Sequence, residues 1–413
     1  MKHRINIALF FYIFIFIFSP NYNVSAAKPT GNENPDIYGK AAITVDMQTN
    51  EIIYEKNPDI RVYPASTTKL LTAILLEKNR KPNNILKYTP GAKNQPKSSL
   101  NRDIHSIEPG DSMTARDVMD GLLMYSANDL AYVVAENISK NAGDFSKKMN
   151  EYVKKLNLKN THFVTPNGLH NPDHYSTSYD MSVIAREAFK SLWIRNTMGT
   201  YQATVKTASG LTFPIKNTNK LLGKDGCIGG KTGYTVPAGR CLVAIYYRNG
   251  RQILGVVMNS VYDPGDTYVF NDMEKIINWS YDEKPTILYK KNSIIGKQII
   301  KYRPLYFIGP HVNIEVPIRI KDNVAYYDNE LNRKELKKDM NFSNITFKAL
   351  EGKAPLGDLT IKERNYSKSY KIYSNLSDRE FLKKIIPFYL KTLLVIFIGF
   401  LMIKFIYKRS RGK

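Results

Sequence analysis

Ser66-Thr67-Thr68-Lys69 places a hydroxyl and an amine three residues apart. At a helix start the two side chains share a face. A serine hydroxyl is a weak nucleophile until a neighbour takes its proton. A lysine can take it only as the neutral amine, so burial and nearby positive charge must lower its pKa. Lys231, in Gly229-Gly230-Lys231-Thr232-Gly233, can supply that charge. On a sheet edge, Lys231 and Thr232 can anchor the carboxylate of an extended peptide, and Gly233 leaves room for close backbone approach. Between these motifs stands Ser126-Ala127-Asn128. Ser126 can relay a proton to a leaving amine, and Asn128 can hold a substrate amide. A helix N-terminus at Ser66 also favours a developing oxyanion. The chemistry is acyl transfer through a serine ester, with lysine as base.

Each string alone occurs by chance, so order and spacing carry the argument. Ser126 follows Ser66 by 60 residues, and Lys231 follows Ser126 by 105. Both gaps suit a helical lobe that folds back over a sheet. Gly-Gly-Lys-Thr resembles a phosphate-binding loop, but that pattern needs glycine where Asp225 stands. His162, His170 and His174 lie in a Pro/Asn/Gly loop without helical spacing. They read as loop packing rather than a zinc site, and no metal or cofactor is expected. Cys227 and Cys241 can pair in an oxidising compartment, but two small buried thiols is the simpler reading.

The elements that must position these groups follow from periodicity. Ala41–Asp46 and Glu51–Glu55 read as paired strands, and Leu70, Leu71, Ile74 and Leu75 as one face of a helix from Ser66. Thr114 caps a second helix, which breaks at Ser126 and resumes over Leu130–Ile138. Asp144 and Asp180 are expected to open two more. Cys241–Tyr247 and Gln252–Asn259 are apolar strands joined through Asn249-Gly250, the strongest short hairpin signal. Asp266–Tyr281 returns to helix. Residues 37–283 therefore read as an α+β domain with strands at both ends and a helical middle. Residues 284–375 read as a small all-β domain.

Both ends are apolar. Lys2 and Arg4, the run Ile5–Phe18, and Val24-Ser25-Ala26 read as an export signal over 1–26. Residues 385–407 hold an uncharged stretch, Thr392–Ile403, flanked by Lys391 and Lys404 and followed by basic residues. They read as a spanning anchor with a cytoplasmic C-terminus, ahead of an in-plane helix. The catalytic body is then expected at the outer face of the membrane. Of 413 residues, 60 are Lys or Arg and 37 Asp or Glu, for a net charge of +23. On an exported chain this balance suits anionic lipid or wall polymers rather than nucleic acid.

The chain resembles the low-molecular-mass penicillin-binding proteins, the serine D-alanyl-D-alanine carboxypeptidases of peptidase family S11. Carrying the resemblance are Pro64–Lys69, Met124–Asp129, Asn167-Gly168-Leu169 with His174–Thr177, Lys231–Thr235, and Ala238–Leu242. It implies a transpeptidase/β-lactamase-like fold, with Ser66 acylated, Lys69 as base and Ser126 as relay. Asn128, Lys231, Thr232 and Gly233 are implied as substrate contacts, and the N–H groups of Ser66 and Tyr234 as the oxyanion hole. The implied substrate is a peptidoglycan stem ending in D-Ala-D-Ala, with β-lactams as covalent inhibitors. Class A β-lactamases share the motifs but add a deacylating glutamate in E-x-x-L-N, and no such stretch lies between Asn128 and Lys231. D,D-endopeptidase activity is the other alternative.

Overall fold

The computed structural model describes residues 34–304, 311–343 and 345–410. The expected export signal lies outside them. Strands β1 (Ala41–Asp46) and β2 (Ile52–Lys56) precede a short 3-10 turn at Ala65–Thr68 and the helix α1 (Lys69–Asn79). Helices α2 (Asn128–Ile138), α3 (Ala142–Lys155) and α4 (Ser178–Lys190) fill the middle. Strands β3 (Cys227–Thr235), β4 (Gly239–Arg248) and β5 (Arg251–Ser260) follow, then α5 (Tyr268–Asp282).

The five strands form one antiparallel sheet in the order β2-β1-β5-β4-β3. Strand β1, from the start of the domain, pairs with β5 near its end, so the sheet closes by non-local pairing. Side chains alternate between two cores. Ile43, Val45, Val243 and Ile245 face the helical lobe, whereas Ala42, Leu242, Ala244 and Tyr246 face α5. The β4–β5 hairpin turns at Asn249 (φ 50°) and Gly250 (φ 80°), the pair of positive φ values that a type I′ turn requires. Burial covers α1 from Lys69 to Leu76 on all sides, making it the central rod of the lobe.

Two helix caps differ from expectation. Asp144 and Asp180 each sit three residues inside their helices. The caps are Asn141 and Thr177, whose side chains accept the N–H of Asp144 and of Asp180. An acid in the first turn complements the helix dipole without being the cap itself. Thr114 caps as expected, accepting the N–H of Asp117. The two cysteines are free. They lie on opposite faces of the sheet, Cys241 in the lobe core and Cys227 in the α5 core, which rules out a bond between them.

Beyond α5, strands β6 (Ile294–Tyr302), β7 (Val312–Ile320), β8 (Lys337–Phe342), β9 (Gly357–Lys362) and β10 (Ser367–Ser374) form a second antiparallel sheet, order β6-β7-β10-β9-β8. Two short helices, Glu330–Glu335 and Phe347–Leu350, interrupt what reads in sequence as all strand. The first of these covers the free edge of β2. There the side-chain amides of Asn329 and Asn332 donate to the Ile52 carbonyl at 3.0 and 2.9 Å.

The final helix, α6 (Asp378–Ser410), has 33 residues and is long and apolar enough to cross a membrane. It begins seven residues before the expected anchor. Phe381 and Ile385 in its first turns are buried in the core of the second sheet.

Candidate active site

Three elements converge on Ser66. The 3-10 turn leads directly into α1, so Ser66 and Lys69 stack across one turn. The turn is entered through Ala65, which holds φ 47°, a left-handed conformation that costs an alanine roughly 1 kcal/mol. Gly168 (φ 82°) packs beside it, where a Cβ would stand 1.9 Å from the Ala65 carbonyl oxygen, so only glycine fits.

Lys69 is fully buried. Its Nζ lies 2.7 Å from Ser66 Oγ, 2.9 Å from Asn128 Oδ1 and 2.9 Å from the Asn167 carbonyl oxygen. The Asn128 amide nitrogen donates to the Lys97 carbonyl, which fixes Oδ1 toward the lysine. Burial pushes the Lys69 pKa well below the usual lysine value; the Lys231 charge adds to this, and Asp129 opposes it. A neutral amine has two N–H groups and one lone pair. Asn128 and Asn167 offer oxygens that can only accept. In the neutral amine they can take both hydrogens and leave the lone pair for the Ser66 hydroxyl, an arrangement in which Lys69 can accept a proton.

Lys231 is equally buried, and its Nζ donates to Ser126 Oγ at 2.8 Å and to the Thr232 carbonyl at 2.9 Å. Burial lowers its pKa to about 7. Ser126 holds φ 73° at the end of a π-helical turn, Gly121–Tyr125, and this bend presents its hydroxyl to Lys231. The break read at Ser126 is therefore a widened turn plus one left-handed residue. Strand β3 is a sheet edge, as the carboxylate-anchor reading needs. Gly233 packs against the Ala65–Thr68 turn, where a Cβ would be 3.0 Å from Ser66 N and 3.1 Å from Thr67 N. Tyr234, 39% exposed, stands at the rim of the same strand.

Thus Ser66, Lys69, Ser126, Asn128, Lys231, Thr232, Gly233 and Tyr234 gather in one cleft between the lobe and the edge strand. Four supporting residues carried no chemical signal of their own in the sequence. Thr218 shares a 2.6 Å hydrogen bond with the Thr232 hydroxyl. Asp129, buried beside Asn128, accepts the N–H groups of Leu100 and Asn101 and the Tyr88 hydroxyl, pinning the loop above the site. Asn167 contributes its backbone oxygen to Lys69. Arg240 lies over the rings of Tyr234 and Tyr262, 5.1 and 5.2 Å from their centroids, and pairs with Asp266 at 2.5 Å.

The histidines have separate roles. His174 is buried, its Nδ1 accepts the Val164 N–H, and its Nε2 is 2.9 Å from Thr68 Oγ1. Burial, followed by His162 and His170, lowers its pKa to about 3. His162 bonds the Asp173 carbonyl, and His170 packs edge-on against Tyr63.

Residues 28–261 match the family model described as D-alanyl-D-alanine carboxypeptidase. The D-alanyl-D-alanine carboxypeptidase DacF of Bacillus subtilis is 30% identical over 85% of this chain and 88% of its own. A D-alanyl-D-alanine endopeptidase of Escherichia coli is 30% identical over 63% and 83%. Among solved structures, a D-alanyl-D-alanine carboxypeptidase of Mycobacterium tuberculosis superposes with TM-score 0.58 at 26% identity, covering 62% of this chain and 96% of its own. The Streptomyces K15 DD-transpeptidase gives 0.54 at 29%, covering 61% and 100%. The buried lysine beside a helix-start serine and the Lys-Thr-Gly edge strand facing them all lie within the matched span, and the chain belongs to the D-alanyl-D-alanine carboxypeptidase family, peptidase S11.

Proposed function

We propose that this chain removes the terminal D-alanine from peptidoglycan stem peptides through a Ser66 acyl-enzyme. The observation that carries this is the arrangement at Lys69 Nζ, with two acceptor-only partners and the Ser66 hydroxyl as the third neighbour. The stem peptide lies along β3, its terminal carboxylate near Lys231 and Thr232. Lys69 takes the Ser66 proton as Oγ attacks the penultimate carbonyl. The Ser66 and Tyr234 N–H groups receive the oxyanion. Ser126 passes its proton to the departing amine and takes one from Lys231, whose Nζ donates to it, as the peptide C–N bond breaks. Water then cleaves the Oγ–acyl ester and restores Ser66. β-Lactams acylate the same oxygen.

The function is tested by D-alanine release from a diacyl-D-Ala-D-Ala peptide, with Ser66→Ala as control. Covalent labelling of Ser66→Ala by labelled penicillin at one site would overturn the nucleophile. The endopeptidase relative makes cross-linked muropeptide the second substrate to test; cleavage of that alone would favour endopeptidase. The reading also places α6 in the membrane, with the catalytic domain at its outer face. The 18-residue apolar stretch and its mostly exposed side chains support anchoring.

A further inference from the structure

Beside the foot of α6 lies a cavity of about 320 Å³, within the roughly 300–1,000 Å³ typical of small-molecule sites. Lys301, Arg303 and His311 line it, together with Tyr302, Ile345, Thr346 and Phe347; among the described residues no acidic one does. Ile345 and Phe347 are 37% and 41% exposed. Three contacts tie this wall to α6. The Phe347 and Tyr302 rings lie 5.0 and 6.2 Å from the Phe381 ring, and the Tyr389 hydroxyl donates to the Pro304 carbonyl at 3.1 Å.

Those contacts set the height of the cavity. Tyr389 precedes the uncharged run at Thr392 by three residues, about 4.5 Å along a helix. Phe381 and Ile385 face the second sheet, while Leu382, Ile386 and Leu390, spaced by four, are exposed along another face. The cavity therefore sits where lipid headgroups meet the protein, if α6 is seated in a bilayer.

We propose that this cavity binds the phosphate headgroup of an anionic phospholipid from the leaflet into which α6 enters. The inference rests on the membrane reading of α6 given above. Lys301 and Arg303 bring the positive charge that a phosphodiester needs, with the His311 ring as a further hydrogen-bonding group, and the exposed Ile345 and Phe347 match the acyl-glycerol that continues from it. A soluble polyanion would use the charges and leave the apolar pair wet. One bound lipid would fix the tilt of the second sheet on the membrane and hence the aim of the catalytic cleft.

The test uses the full chain reconstituted in phosphatidylcholine vesicles with or without phosphatidylglycerol. Vesicle flotation is read first, then lipid retained after mild detergent extraction, by native mass spectrometry. The chain is expected to float with both vesicles and to retain about one phosphatidylglycerol and no phosphatidylcholine. Retention by a Lys301→Ala/Arg303→Ala variant should fall about thirty-fold, and by Lys301→Gln, at an exposed strand position, about five-fold. Release of D-alanine from a soluble peptide should be unchanged in both, which checks folding. Failure to float overturns the membrane reading and the lipid site with it. Flotation followed by lipid retention without phosphatidylglycerol preference, or undiminished retention in Lys301→Gln, overturns the site alone. Displacement by inorganic phosphate or by soluble polyglycerol phosphate does the same, and assigns a soluble anion instead.

Discussion

Gly233 faces the backbone N–H of Ser66 so closely that a Cβ would stand 3.0 Å from that nitrogen. Both atoms are backbone-fixed, so neither can move aside without shifting the edge strand or the nucleophile turn. Gly233→Ala should lower the rate of penicillin acylation by roughly a hundredfold, the scale of a lost oxyanion donor. The melting temperature should fall as well, because backbone atoms must shift to admit the Cβ, so the rate is compared at a temperature where both proteins are fully folded. Wild-type acylation by this variant would remove Gly233 from the site.

Acylation should follow the neutral fraction of Lys69. Its rate should fall as pH drops through the lowered pKa of that amine. Lys231→Gln removes the neighbouring charge, so the acid limb of the acylation profile should move to higher pH. An unmoved limb would assign the whole depression to burial.

His174 makes the opposite kind of pH statement, about folding. Its pKa is about 3 when folded and 6.5 when free, so between these values only the unfolded chain takes the proton. Stability should be complete above 6.5 and decline as pH falls toward 3, by up to roughly 1.4 kcal/mol per pH unit. Denaturant melts of His174→Gln should lose most of this slope, with a lower plateau from the weakened Thr68 contact.

Arg364 ties the two sheets together. Its guanidinium pairs with Asp59 at 2.6 Å and with Glu335, and it lies 4.5 Å over the Tyr179 ring. Arg364→Ala should destabilise the chain by roughly 1–3 kcal/mol. Amide exchange should quicken first at 329–335, the segment covering β2. Unchanged exchange there would make the pair ornamental.

Reading the chain from its residues succeeded where chemistry was local. Ser66 and Lys69, one helical turn apart, became legible once Ser126 and Lys231 stood in order behind them, and Asn249-Gly250 declares its hairpin. The caps at Asn141 and Thr177 were misplaced because an acid at the third helical position carries the same signal as one at the cap. Thr218 and Asp129 were invisible as site residues, since their partners lie 14 residues away or in a loop with no pattern of its own. The helix at Glu330–Glu335 was missed because it is shorter than two turns, too brief for a periodicity to register. The cysteines required knowing which face of the sheet each takes, and the Cys227/Gly229 register shift in β3 hides that in sequence.

The widened turn at Gly121–Tyr125 winds one residue more than an α-helix would over the same rise, closing with the Ser126 N–H on the Gly121 carbonyl. Deleting one of the five residues would turn that closure into an ordinary i→i+4 bond and leave the Ser126 N–H on the same carbonyl. The turn is thus an extra residue absorbed in place. It widens the helix locally and hands the chain on to Ser126 without changing where the following residues stand.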